Sequence, residues 1–238
     1  QIGRNDDAVT AYEEVVRRYG ADDHLALREQ VAKALFNKGV TFGQIGRNDD
    51  ALAVDEEIDR RYGADDHLAL REQVAQALFN KGVRLGQIGH NDDAIAVVPD
   101  LTEIVRRYGS DDEPVLRHVA AKALNGRAFH RMLHAKRFWW HEVERCDLLA
   151  LAIKDLDRAQ LNSEEADLPL VLGNLGYARF LAGEADQALE PTRECLRLGG
   201  LESLEAQRTD AQTERIEPQD SEYEALLDQL WRELHPEG

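Results

Sequence analysis

The chain has 238 residues, of which 46 are Asp or Glu and 29 are Lys or Arg, for a formal net charge of −17. An acidic excess of this size repels a phosphate backbone, which excludes nucleic-acid binding as the main role and favours basic or apolar partners. No run of about 18 apolar residues occurs, so the sequence predicts no membrane-spanning helix and no membrane partner. Its two cysteines, Cys146 and Cys195, stand far apart, which argues against a disulfide framework and fits a reducing, cytoplasmic setting. The opening "QIGRNDD" is no signal peptide and falls in mid-repeat, so a fragment of a longer protein is expected.

The stretch "YGADDHLALREQVA" occurs at 19–32 and again at 62–75. Gln1, Gln44 and Gln87 each open a "QIG" block, a spacing of 43 residues both times. The third block gains three residues around "VVPDLTE", so Tyr62 and Tyr108 are 46 apart. The blocks are read as repeats 1–43, 44–86 and 87–134, followed by divergent, shorter repeats over 135–200.

Each block predicts two helices. The longer runs from Asp65 to about Leu85, with Leu70, Val74, Leu78, Gly82 and Leu85 on one helix-period stripe. The shorter starts at Asn48, Asp49 and Asp50, runs to Arg60 and Arg61, and ends at Gly63. Acids at the start and arginines at the end both suit the helix dipole. The pairs Asp6/Asp7, Asp22/Asp23, Asp49/Asp50, Asp65/Asp66, Asp92/Asp93 and Asp111/Asp112 are therefore read as helix starts. A calcium loop needs an Asp-x-Asp-x-Asp-Gly run, which is absent. A helix pair cannot bury its apolar stripe alone, so repeated pairs stack into an all-α solenoid.

From Gly126 the repeat drifts out of register. A second helix from Phe138 to Ala159, longer by about three turns, accounts for the shift. His118, His130, His134 and His141 fall here with Glu142 and Cys146. His130 and His134, four apart, share a helix face and are the candidate metal ligands. The His-Glu-x-x-His pattern fails, because Arg145 stands where the second His belongs, and the segment is basic. No metal and no cofactor are expected. Trp139 and Trp140 admit two readings, as core filling around the enlarged helix or as an exposed aromatic anchor for a partner. Adjacent positions on a helix point about 100° apart, so at least one of them is free to face away from the core.

Beyond Gly199 and Gly200 the composition turns acidic, and residues 201–238 are read as capping helices. Tyr223, Leu226, Leu227, Leu230, Trp231 and Leu234 form their stripe. The N-terminal end has no such cap, and its open face is expected to stack on further repeats or on a second copy.

"ALFNKGVTFGQIGRNDDALAV" resembles the core of a tetratricopeptide repeat (TPR), with Gly39, Gly46 and Ala51 at the small positions and Asn37 at the common Asn. Gly82, Gly89, Ala94 and Asn80 repeat the set, and Asn174, Leu175, Gly176, Gly183, Ala188 and Cys195 give a closer match. The period departs from the family's roughly 34 residues, and Lys38 and Lys81 replace its usual Leu, as in a long-period variant. The resemblance implies a right-handed superhelical solenoid of antiparallel helix pairs. It also implies a non-catalytic scaffold that holds a protein or peptide in a concave groove. By register that groove takes Lys33, Phe36, Asn37, Val40, Gln44, Gln76, Phe79, Asn80, Val83, Gln87, Lys122 and Asn125, with Asn and Lys placed to grip a carboxylate. A sensor or self-assembly module for an upstream effector domain, or a metal module around His130 and His134, are the alternatives.

Overall fold

A computed structural model describes residues 2–88 and 97–236. All regular structure among them is α-helical. Gly89, Asp92, Asp93 and Ala94, and with them the opening of the third block, lie outside the described residues. None of the described helices is long and apolar enough to cross a membrane. The chain divides into two compact units, 1–119 and 120–238, with the division inside one helix.

The first unit holds α1 (Ile2–Tyr19), α2 (Leu25–Gln44), α3 (Asn48–Tyr62), α4 (Leu68–Ile88), α5 (Val97–Tyr108) and the start of α6 (Pro114–Arg137). Each of α1 to α4 packs on the helix that follows it, and α2 also packs on α4. The core takes in the predicted stripe as far as Gly82, and Leu85 is half-buried. Leu70, Val74 and Leu78 are buried with Val31 and Leu35 of α2, Ile58 of α3 and Ile104 of α5. Each such side chain contributes roughly 1.5–3 kcal/mol relative to exposure. Gly46, at φ 76°, makes the turn between α2 and α3 in a region that side chains strain to reach.

Helix starts differ from the sequence expectation in two ways, with α2, α4 and α6 beginning after their aspartate pairs and α1 before its own. α4 begins at Leu68 rather than Asp65, because the Asp65 carboxylate bonds its own backbone first. Asp65 Oδ1 accepts His67 N–H at 3.0 Å, a closed turn that helical φ and ψ do not allow. Asp22 and Asp111 repeat it, accepting His24 N–H at 2.9 Å and Glu113 N–H at 3.0 Å. α1 already runs from Ile2, so Asp6 and Asp7 lie inside it. α3 starts where expected, with Asp49 and Asp50 in its first turn and Arg60 and Arg61 in its last.

The second unit holds the rest of α6 with α7 (Glu142–Gln160), α8 (Leu168–Leu181), α9 (Ala185–Gln212) and α10 (Gln219–Leu234). α7 packs on α8, α8 on α9, and α10 on both α8 and α9. α7 begins at Glu142 rather than Phe138, and at 19 residues it exceeds the 15 of α3 by about one turn rather than three. Phe138 to His141 form a turn instead, closed by His141 N–H to Phe138 O at 2.8 Å. The acids Glu142 and Glu144 then occupy the positive end of α7. α9 bends at Gly200, where φ is 58°. Gly176 lets α8 lie close against α9, since a Cβ there would sit 2.1 Å from Thr192 Oγ1. Along α10, Tyr223, Leu227 and Leu230 are buried, and Leu226, Trp231 and Leu234 half-buried.

Candidate functional site

The predicted groove residues of the first unit fall on one side of two touching helices. On α2, Lys33, Phe36, Asn37, Val40 and Gln44 are all half-buried or exposed. On α4, Gln76, Phe79, Asn80 and Val83 are likewise. Gln87 lies in α4 with its side chain outside the described part. The intervening residues, such as Leu35, Gly39, Leu78 and Gly82, are buried. The helix period thus sends one face of each helix inward and the repeated Phe, Asn and Val outward.

Buried polar groups hold the two helices at this separation. Arg84 of α4 donates Nη2 to Gly39 O of α2 at 2.8 Å and Nη1 to Asp55 of α3 at 2.7 Å. Burial pushes the Asp55 carboxyl up to about 7, against the pull of Arg84 and Lys81. Lys38 and Lys81, which replace the TPR leucine, reach neighbouring acids. Lys38 pairs with Glu13 at 2.9 Å, and Lys81 with Glu56 at 3.3 Å and Asp100 at 3.4 Å. Among the described residues, neither the Asn37 nor the Asn80 side-chain amide has a hydrogen-bond partner within the chain.

In the second unit the matching groups are engaged. Asn125 accepts Asn174 Nδ2 at 2.9 Å, and Lys122 pairs with Asp167 at 3.3 Å. Here Asn174 of α8 and Asp167 just before it engage α6, whereas the α2 and α4 amides Asn37 and Asn80 have no partner among the described residues.

The two tryptophans separate. Trp139 is buried, with Arg145 4.5 Å from its ring centroid and donating to its carbonyl at 2.8 Å. Trp140 is 88% exposed, beside exposed Val143 at the start of α7. A cleft of about 510 Å³ opens next to Trp139, bordered by Cys146, Phe180 and Glu222.

His130 and His134 belong, among the described residues, to no group of three metal-ligating side chains. Among the described residues, one cluster brings three ligand atoms within 4.8 Å, and it is the turn Asp65, Asp66 and His67. Burial lowers the His130 pKa, and its Nδ1 is buried without a partner. His134 meets the edge of Phe138 instead, with ring centroids 4.7 Å apart.

The sequence reading missed the buried ionic groups of the second unit. Arg127 of α6 grips Asp155 of α7 through two bonds of 2.7 Å, and Arg131 reaches the same carboxylate. Lys136 of α6 pairs with Asp220 of α10 at 3.1 Å and bonds Tyr177 OH of α8 at 2.8 Å. Nearby, burial pushes the Asp210 carboxyl up to about 6, with Lys136 opposing. The folded state therefore holds a proton that the unfolded chain releases near the ordinary carboxylate value. Stability is greatest below about pH 4 for this group and declines as pH rises through 6. Asp210→Asn is expected to remove that decline, gaining about 1 kcal/mol at pH 7 after solvent screening. The gain should vanish near pH 4 in urea melts recorded across the range.

Comparison with protein-family models, with curated proteins and with solved structures finds no match to this chain.

Proposed function

We propose that the chain is a non-catalytic scaffold whose α2/α4 face binds an extended segment of another protein. One observation carries this reading. The face displays Phe36–Asn37–Val40 and Phe79–Asn80–Val83 in parallel copies, with both amides free to bond a ligand. Side-chain amides repeated on one face suit a peptide backbone, and the flanking apolar groups suit its side chains. Lys33 adds a cation at one end, which suits a carboxylate. The packing of α2 on both α3 and α4 supports a TPR-like array of helix pairs within the first unit, for which the resemblance implies a right-handed superhelical solenoid of antiparallel pairs.

The test is a peptide selection on the intact chain, followed by titration of the selected peptides. Asn37→Ala with Asn80→Ala is expected to weaken them at least about tenfold, near 1.4 kcal/mol. The melting temperature should not change, since neither amide has a partner among the described residues. Peptides held equally by the double variant would contradict this reading. A second reading places the partner on Trp140 and Val143, and rests on the exposure of both. Trp140→Ala separates the two.

A further inference from the structure

A clasp recurs between successive repeats. Arg28 of α2 pairs with Asp65 Oδ2 in the turn before α4, and its guanidinium lies 5.9 Å from the Tyr62 ring centroid. One repeat on, Arg71 of α4 pairs with Asp111 Oδ2 and lies 5.9 Å from the Tyr108 ring centroid. In each case Oδ1 is held within the turn, so Oδ2 is the atom offered to the neighbouring repeat. The same arrangement stands at Tyr19 and Asp22. Asp22 Oδ1 accepts His24 N–H at 2.9 Å, while Oδ2 has no partner among the described residues.

Burial follows the clasp. Tyr62 and Tyr108 are 6% and 4% exposed, whereas Tyr19 is 40% exposed. The side chains of Asp65 and Asp111 are 11% and 12% exposed, and that of Asp22 is 35%. Leu70 and Leu116 are fully buried, and Leu27 at the same register is only half-buried. Three residue types thus share one departure at one edge.

We propose that the edge formed by Tyr19, Asp22 and Leu27 is a docking site for one more helix of the α2 and α4 type. That helix carries an arginine at the register of Arg28 and Arg71. It covers Leu27, lays the arginine on the Tyr19 ring and bonds Asp22 Oδ2. The occupant is read from the two clasps already formed, which present the same surface to the same kind of helix. A second copy of the chain is the weaker fit, because Arg28 and Arg71 are committed within their own chain.

The experiment adds a copy of residues 20–43 ahead of Gln1 in the full chain, so that the junction repeats Gly43–Gln44. The added helix is expected to raise the melting temperature by about 5 °C. Changing its arginine to alanine, or making Asp22→Asn, should each remove part of the gain, and the two together little more than either alone. Asn keeps the acceptor for His24 N–H, so Asp22→Asn in the unextended chain is expected to be near neutral and serves as the folding control. No gain on extension, or a gain indifferent to both changes, would overturn the proposal. A concentration-dependent dimer of the unextended chain that Asp22→Asn dissolves would also overturn it, naming a second copy as the occupant.

Discussion

Asp220→Ala is expected to cost about 4 kcal/mol of folding stability, since removing one partner of a buried ion pair strands the other. Asp220 and Lys136 both have fully buried side chains, 3.1 Å apart. Tyr177 OH donates to Asp220 Oδ1 at 2.5 Å, and Ile216 N–H donates to Oδ2 at 2.6 Å. The carboxylate therefore ties α6 and α8 to the chain entering α10. Burial alone pushes the Lys136 pKa down, and Asp220 raises it in part, so the ammonium depends on this partner. Alanine leaves that ammonium to lose its proton or draw water into the core. Replacing both partners, as Lys136→Met with Asp220→Leu, should recover much of the loss, because no buried charge then remains. Urea unfolding measures both variants. A cost below about 1 kcal/mol for Asp220→Ala would show that the pair does not hold α10.

The second large effect is expected at Asp155. Its carboxylate takes both bonds of the Arg127 fork and a further bond from Arg131. Asp155→Ala leaves two guanidinium groups adjacent and largely shielded from water, with an expected cost of about 3 kcal/mol. Arg131→Ala removes one cation and leaves the bidentate pair intact, so it should cost under about 1 kcal/mol. Equal costs in urea for the two variants would mean that the carboxylate is not the centre of the cluster.

Local pattern made part of this molecule legible in the sequence. The Asn48–Asp49–Asp50 run located the start of α3, and the helix stripe identified Leu70, Val74 and Leu78 as core. These features depend on residues a few positions apart, where backbone geometry dictates which side chains share a face. The clasps were not legible. Asp65 already had a sufficient explanation as a helix-start acid, and its Arg28 partner lies 37 positions away. Lys136 and Asp220 carry no periodic signal, since one buried pair leaves no mark on hydrophobic spacing. The start of α7 was misplaced because the aromatic run at Phe138 to Trp140 reads equally as helix or turn. Of the groove residues, register alone grouped Lys122 and Asn125 with α2 and α4. Only the structure shows that Asp167 and Asn174 engage them.

The binding claim is tested most directly by hydrogen exchange on the intact chain with and without a selected peptide. Bound peptide is expected to slow exchange along residues 33–44 of α2 and 76–83 of α4, leaving the start of α7 unchanged. Slowed exchange at Trp140 to Leu151, with α2 and α4 unaffected, would contradict the assignment and move the partner to the exposed tryptophan.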